Sequence, residues 1–262
     1  MKEILRHAGV ASYSVLARTG IMRQAWTRRV FLAAYSVYKT WIEAGPIDRL
    51  KDFVVPGSTT VDVGANIGFF TIKFAQWVGE QGRVIAIEPD LENFATLTAK
   101  IAAAGLERRV QLHQAAAAAE SGSVPFQRNE LHPGDHRITR SPEGIMVPAV
   151  TIDDLVAEAG ARSISLVKID VQGAEMLVLE GAKRTLGEMR PALFVEVDDR
   201  NLADLGTSAR ALIAHLEQAG YEMHELADDG PPRKLSHNVL FANLQSRSYV
   251  DVLFLPLLDQ DN

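Results

Sequence analysis

The sequence predicts an α/β fold in which a mostly parallel sheet of seven strands is covered by helices on both faces. Three observations support it: apolar β-rich segments alternate with helical segments, a glycine-spaced loop follows the first apolar strand, and 47% of the 262 residues are hydrophobic. A chain of this length can bury one substantial core. We therefore expect one domain over residues 45–262, preceded by a helical extension over residues 1–44.

Individual elements follow from apolar segments that turn residues separate. The first strand is predicted at Thr59–Val63, because an apolar run follows the turn Pro56-Gly57, and a helix begins near Ile67. Capping-box spacing at Thr151 predicts another helix start. Further strands are predicted at residues 83–88, 110–115, 165–170 and 192–197, and further helices at 47–53, after Pro89, from Gly173 and over 208–219.

Two regions depart from simple alternation. Residues 123–128 and 144–150 predict two short strands around the polar loop 129–143. Such an insertion beside the strand ends is expected to cover a substrate. Residues 221–226 and 238–244 predict a final hairpin, which makes the last strand of the sheet antiparallel.

Composition limits the classes of chemistry. The chain has no cysteine, which excludes disulfides, thiolate metal sites and thiol nucleophiles. Its first residues lack the basic start, apolar core and cleavage site of a signal peptide, and no apolar run reaches the roughly 18–20 residues of a membrane span. We therefore expect a cytoplasmic protein.

Charge is distributed unevenly along the chain. The net charge is −6, yet residues 1–41 carry seven basic side chains against one acid, Glu3, so the remainder is strongly acidic. An acidic remainder predicts no nucleic-acid partner. The basic, aromatic-rich segment is consistent with a helical lid, a homodimer contact or a peripheral contact with an anionic membrane surface, and these alternatives stay open.

The loop after the first strand predicts which class of cofactor binds. Asp62 stands where a dinucleotide fingerprint has its first glycine, and a carboxylate there repels a pyrophosphate. S-adenosylmethionine carries an ammonium and a sulfonium and no phosphate, so an acid attracts it, while Gly64 and Gly68 let the backbone come close. The loop therefore predicts a nucleoside-sulfonium site.

A second acid strengthens this prediction. Glu88 ends the second predicted strand 24 residues after Gly64, close to the offset at which an acid accepts hydrogen bonds from ribose hydroxyls. The small residues that end the third strand suit an adenine contact, although a plain strand exit explains them nearly as well. The predicted cofactor-binding residues are Asp62, Gly64, Asn66, Gly68, Glu88, Pro89, Ala115, Ala116 and Asp170.

Four segments in this order resemble the FkbM family of S-adenosylmethionine-dependent methyltransferases. They are VDVGANIGFFT from Val61, IEPD from Ile87, TIDDL from Thr151 and VKIDVQGAE from Val167. The resemblance spans roughly residues 45–245. It implies a class I, Rossmann-like methyltransferase fold and, in most members, O-methylation of a sugar or natural-product hydroxyl. One departure is Gln172, which stands where the family commonly has glutamate.

Candidate catalytic residues follow from what methyl transfer requires, an aligned acceptor oxygen and a route for its proton. Asp170 ends the fourth predicted strand and is the first candidate for a base or acceptor-orienting group, with Lys168 on the same strand face. Pairing of Asp170 with Lys168, or capping of the next helix, is the structural alternative. Glu175, in the first turn of that helix, is equally well explained as a site residue or as a cap.

Two further groups complete the candidate site. His136, clustered with His132, Asp135 and Arg137 in the cover loop, is a candidate base because the ordinary pKa of histidine is near neutral, and a solvated loop is the structural alternative. Glu196 lies near the end of the next predicted strand and could face Asp170 as a two-carboxylate metal site. No histidines at metal-ligand spacing accompany this pair, so we predict no metal.

The predicted reaction is methyl transfer to a hydroxylated small molecule or glycan. Two other classes stay open from the residues alone. A nicotinamide-dependent oxidoreductase on a similar fold is disfavoured by Asp62. A non-catalytic module that binds a nucleoside without turnover is the other alternative.

Overall fold

Two β-sheets organise the part of the chain that the structure describes. The structure is a computed structural model that describes residues 47–129, 136–141, 143–227 and 229–257. The predicted extension over residues 1–44 lies outside these ranges. None of the helices within them has the length and apolar character needed to cross a membrane.

Strands and helices alternate along the described residues. The strands, in chain order, are β1 (Thr59–Val63), β2 (Arg83–Ile87), β3 (Val110–His113), β4 (Ala116–Ala117), β5 (Gly122–Gln127), β6 (Arg137–Ile138), β7 (Ile145–Val150), β8 (Ile164–Ile169), β9 (Ala192–Val197), β10 (Tyr221–Glu225), β11 (Arg233–Lys234) and β12 (Val250–Pro256). The α-helices are α1 (Phe69–Trp77), α2 (Leu91–Ala103), α3 (Ile152–Glu158), α4 (Glu175–Glu180), α5 (Asp199–Asp204), α6 (Ala209–Gln218) and α7 (His237–Ser246). A 3₁₀-helix spans Asp48–Phe53, and a π-helix spans Thr185–Met189.

The main sheet confirms the predicted α/β fold. Its order is β11-β10-β12-β9-β8-β1-β2-β3, with β3, β2, β1, β8 and β9 mutually parallel and β12 antiparallel to both of its neighbours. The sheet has eight strands instead of seven, because the two-residue β11 pairs with the edge of β10.

The predicted strand at residues 238–244 is wrong. These residues belong to α7, which begins where the Ser236 hydroxyl accepts a hydrogen bond from the Val239 amide. A serine cap of this kind starts a helix, and it outweighs the β-like run that Val239 begins. The last strand is β12, which pairs with β9 on one side and β10 on the other.

Helices cover both faces of the main sheet. All five residues of β1 are buried, as a strand covered on both faces requires. One apolar cluster joins the sheet to α3, α4, α6 and α7, and the other joins it to α1, α2 and the 3₁₀-helix. Both clusters hold the strands rigidly where their carboxyl ends emerge.

The register of the parallel strands aligns three functional candidates. Val63 of β1 lies opposite Ile87 of β2 and Ile169 of β8. The next residue after each of these strand ends is Gly64, Glu88 and Asp170, respectively. The carboxyl ends of parallel strands are where open α/β sheets bind ligands, so the register brings the predicted residues to one edge.

A second sheet of order β4-β7-β5-β6 forms the predicted cover. Strands β5 and β7 pair antiparallel, close to the predicted bounds. Two arginines tie this sheet to the segment around α5: Arg140 donates to the Leu205 carbonyl at 2.6 Å, and Arg137 pairs with Asp204 at 3.0 Å. The cover is therefore fastened to the main domain beyond its own chain connections.

Candidate active site

A pocket opens at the carboxyl ends of β1, β2 and β8, beneath the cover sheet. The main-sheet side contributes loop and strand-end residues, and the cover contributes apolar and basic side chains. The residues that line it are Gly64, Asn66, Ile87, Glu88, Pro89, Asn93, Ala116, Ala117, Phe126, His136, Arg137, Ile138, Asp170, Val171 and Gln172.

The glycine loop is shaped by close backbone approach. Gly64 has a φ of +74°, and a Cβ atom there would collide with the Asp170 carbonyl oxygen. Gly68 begins α1, and a Cβ there would lie 2.6 Å from the Leu97 side chain. Gly64 lines the pocket, whereas Gly68 lies outside its lining and packs the loop against α2. Glycine is thus needed for close backbone packing at Gly64, whereas at Gly68 it is favoured by the φ of +89°.

Glu88 is held rigidly at the pocket wall. Its Oε2 accepts the Asn66 amide at 2.8 Å, and its Oε1 accepts the Asp90 amide at 2.9 Å. The residue is only 4% exposed, and burial raises the pKa of its carboxyl to about 7. Each carboxylate oxygen keeps capacity for a further donor, such as a ligand hydroxyl. Pro89 follows and lines the same wall.

The adenine side of the predicted site is shifted by one residue. Ala116 lines the pocket as predicted, but Ala115 is buried and outside the lining, and Ala117 takes part instead. The reason is that residues 116–117 form β4 and pair with β7 of the cover. A strand exit read from sequence does not show this second pairing.

Asp62 does not reach the pocket, which corrects the prediction of a direct cofactor contact. Its carboxylate is fully buried, and its Oδ2 accepts the Thr71 hydroxyl at 2.6 Å. Its Oδ1 lies 3.5 Å from the Lys168 ammonium. Burial raises the pKa of Asp62, which the Lys168 charge opposes. Asp62 therefore anchors the loop from below.

Lys168 is also beneath the loop, and the structure does not place it against an acceptor. It is 3% exposed and donates to the carbonyls of Val63 at 3.2 Å and Gly64 at 2.8 Å. Its ammonium lies 3.6 Å from Asp170 and between that residue and Asp62. The predicted catalytic lysine is thus a positioning group that joins two carboxylates to the loop backbone.

Asp170 lines the pocket as part of a polar network. Its side chain is 27% exposed, and its Oδ1 accepts a hydrogen bond from Gln172 Nε2 at 3.0 Å. The same Nε2 donates to Glu196 Oε1 at 2.7 Å, and Gln172 Oε1 accepts from Asn201 Nδ2 at 3.0 Å. Glu196 is near Asp170 as predicted, but an amide bridges them. The sequence did not predict that Gln172 bridges the two carboxylates or that Asn201 contributes to the network.

Glu175 acts as the cap of its own loop. Its Oε1 accepts the amides of Val171 at 3.3 Å and Gly173 at 3.0 Å. The residue is 2% exposed, and its Oε2 has no hydrogen-bond partner among the described residues. Burial raises the pKa of Glu175 to about 7. The geometry therefore favours the capping interpretation over the site interpretation.

His136 lines the pocket and is also held by contacts on the side of α2, and its role as a base stays a prediction. Its Nδ1 accepts the Asn129 amide at 2.9 Å, and its Nε2 lies 3.7 Å from Asp90. Asp90 caps α2 and also pairs with Arg128 at 2.6 Å. These contacts hold the cover sheet against α2. Asp135, the other acid of the predicted cluster, lies outside the described residues.

Comparison with known proteins identifies a methyltransferase family. A model described as the methyltransferase FkbM domain matches residues 62–223. The 2-O-methyltransferase NoeI of Sinorhizobium fredii is 28% identical over 175 residues, which cover 60% of this chain and 70% of that protein. Methyltransferase 1 of Beauveria bassiana is 26% identical over 221 residues, which cover 75% of this chain and 86% of that protein.

The comparisons also include solved structures. A methyltransferase FkbM from Methylobacillus flagellatus aligns with a TM-score of 0.48 and 18% identity. The alignment covers 97% of this chain and 60% of that one, so this chain spans less than two thirds of its length.

Proposed function

This chain belongs to the FkbM family of methyltransferases, and on that premise we propose that it methylates a hydroxyl of a sugar, glycan or natural-product acceptor. The methyl donor of the family, S-adenosyl-L-methionine, supplies a methyl carbon activated by a sulfonium when it is bound. The observation that carries the proposal is the register that brings Gly64, Glu88 and Asp170 to one pocket.

The pocket residues fit this cofactor. Glu88 presents a carboxylate whose geometry two backbone amides fix, which suits acceptance of hydrogen bonds from ribose hydroxyls. Gly64 lines the pocket and lets the loop backbone pack directly against the Asp170 carbonyl. Ala116 and Ala117 form a small-residue wall that suits a flat base. These residues would hold the cofactor.

Asp170 is the group that we assign to the acceptor. It combines partial exposure with a fixed position at the end of β8. Its carboxylate would accept the hydrogen bond of an acceptor hydroxyl and orient the oxygen. An ordinary aspartate is a weak base for an alcohol, so the proton would pass to Asp170 only as the carbon–oxygen bond forms and the carbon–sulfur bond of the donor breaks, when the hydroxyl becomes acidic.

Two observations support an oxygen acceptor. The relative NoeI is named a 2-O-methyltransferase, which gives a precedent for hydroxyl methylation at this level of similarity. The carboxylates Asp170 and Glu196 near the pocket are natural partners for neutral hydroxyl donors. Membership of a methyltransferase family also favours this function over the nicotinamide and non-catalytic alternatives.

The test is methyl transfer by the full chain to a panel of acceptors. The panel contains sugars, oligosaccharides and phenolic natural products, with amine and carboxylate compounds as controls. We expect S-adenosylhomocysteine release only with hydroxylated acceptors, and a product whose mass increases by one methylene. Turnover with amines or carboxylates alone would contradict O-methylation, and cofactor binding without any turnover would favour the non-catalytic module.

A further inference from the structure

The side chain of Gln172 occupies the space between two carboxylates near the pocket. We propose that Gln172 is a positioning residue that holds Asp170 and Glu196 together as an acceptor-binding pair and takes the place of a cation between them. This rests on the proposed function, because it is the acceptor hydroxyl that the pair would bind.

The hydrogen bonds fix the orientation of the Gln172 amide. Nε2 donates to Asp170 at 3.0 Å and to Glu196 at 2.7 Å, which uses both of its N–H groups. Oε1 accepts from Asn201 at 3.0 Å. Two acceptors on one side and a donor on the other leave a single satisfactory orientation of the amide. The carboxylates are therefore held at a set separation.

The backbone at Gln172 is also unusual. Its φ is +53°, in the left-handed region that residues other than glycine rarely adopt. The loop is held in this shape by Glu175, which accepts the amides on both sides, from Val171 and Gly173. A strained conformation held in place by a buried carboxylate, beside a pocket, indicates a functional position for the side chain.

The residue type at position 172 decides which group lies between the two carboxylates, while the Lys168 ammonium lies 3.6 Å from Asp170. Two nearby carboxylates repel each other, and the neutral amide relieves this repulsion by hydrogen bonding to both. No group of three or more histidine, aspartate and glutamate side chains within the described ranges has the arrangement of a metal site. A glutamate at 172 would supply a third carboxylate, and such a cluster requires a proton or a divalent cation.

The same network reaches the cover sheet. Asn201, in the first turn of α5, donates to Gln172, and its Oδ1 accepts a hydrogen bond from Arg137 Nη1 at 3.4 Å. Arg137 belongs to β6 and lines the pocket. The position of the carboxylate pair is thereby coupled to the element that covers the acceptor.

Two variants of the full chain test this role. Gln172→Met keeps the length of the side chain and removes the bridge, so we expect kcat/KM for the acceptor to fall at least about tenfold, as loss of one hydrogen bond to a charged group predicts. The Kd for S-adenosylmethionine, measured by calorimetry, should stay within about twofold. Gln172→Glu should bind Mn²⁺, measured by calorimetry without cofactor or acceptor, where the wild type does not.

The control is Gln218→Glu, the same substitution at an exposed position at the end of α6. Wild-type kcat/KM in Gln172→Met would overturn the proposal, and so would Mn²⁺ binding by Gln172→Glu no tighter than that of the control. If Gln172→Met does not fold, the Mn²⁺ measurement decides alone. A wild type that methylates no hydroxyl would overturn the proposed function. In that case the Mn²⁺ measurement still tests the role of Gln172, because it needs neither cofactor nor acceptor.

Discussion

Lys168 donates a hydrogen bond through its Nζ to the carbonyl oxygen of Gly64 at 2.8 Å, from a position that is almost fully buried. The same ammonium lies within 3.6 Å of Asp62 and Asp170. A buried cation thus connects the glycine loop after β1 with Asp170 after β8, the residue that we assign to the acceptor. The two halves of the proposed active site share one electrostatic support.

Substitution Lys168→Met should destabilise the fold strongly. It leaves the carboxylate of Asp62 buried without its cation, which costs about 3–5 kcal/mol when one partner of a buried pair is removed. Urea unfolding of the variant measures this loss. The double variant Asp62→Asn, Lys168→Met should recover part of it, because the unpaired charge is then gone. A loss below about 1 kcal/mol in the single variant would show that the ion pair has no such role.

Substitution Gly64→Ala should impair both folding and cofactor binding. The added Cβ collides with the Asp170 carbonyl, in addition to the cost of about 1–2 kcal/mol for a positive φ. Gly79→Ala is the matched control, because Gly79 has a φ of +73° but open space around its Cβ. We expect the control to lose stability only by the φ cost and to keep cofactor affinity. Equal losses in unfolding free energy would contradict the close approach at Gly64.

Cofactor affinity should depend on pH through Glu88. The pKa of this carboxyl is raised to about 7, and the ionised form is the one that accepts hydrogen bonds from ribose hydroxyls. The Kd for S-adenosylmethionine should therefore fall as the pH rises through about 7. Below this pH the Kd should increase by up to about tenfold for each pH unit. Calorimetry between pH 5.5 and 8.5, roughly the range that brackets this pKa, measures the effect. Glu88→Gln should bind S-adenosylmethionine more weakly, with a Kd that does not change with pH. A pH dependence like that of the wild type in this variant would show that another group titrates.

The stability of the protein should depend on pH through Glu175. Its pKa is raised from 4.5 to about 7, so between these values the native state keeps a proton that the unfolded state has released. The free energy of unfolding therefore falls as the pH rises through this window, by at most roughly 3 kcal/mol from this group. Glu175→Gln keeps the oxygen that accepts both amides and removes the titration. In urea unfolding, its stability relative to the wild type should increase from about pH 5, near the lower end of the window, to about pH 8, above it. A constant difference in unfolding free energy would contradict this.

Strand positions were predictable from the sequence where a turn residue precedes a segment rich in β-branched and aromatic residues. Thr59–Val63 follows Pro56-Gly57 and Ala192–Val197 follows Pro191, and both match their predicted bounds. The segment at α7 was misread because Val239 starts a β-like run, whereas the Ser236 cap determines the helix. A local cap and a local apolar pattern gave opposite indications there.

Side-chain direction was the limit of the site prediction. Spacing places Asp62, Glu88 and Asp170 at strand ends, but it does not show that Asp62 turns toward Thr71 and away from the pocket. The bridge made by Gln172 depends on contacts with β9 and α5, far along the chain. Sequence identified the position only as a departure from the family pattern. Tertiary contacts decide which acids face a ligand and which support the loop.

Transfer of a ¹³C-labelled methyl group tests the central claim most directly. The full chain is incubated with methyl-labelled S-adenosylmethionine and the hydroxylated acceptors, and the product is examined by NMR. We predict an O–¹³CH₃ signal for the wild type and its near loss in Asp170→Asn, while calorimetry shows unchanged cofactor affinity for that variant. Label on nitrogen or carbon, or wild-type transfer by Asp170→Asn, would contradict the account.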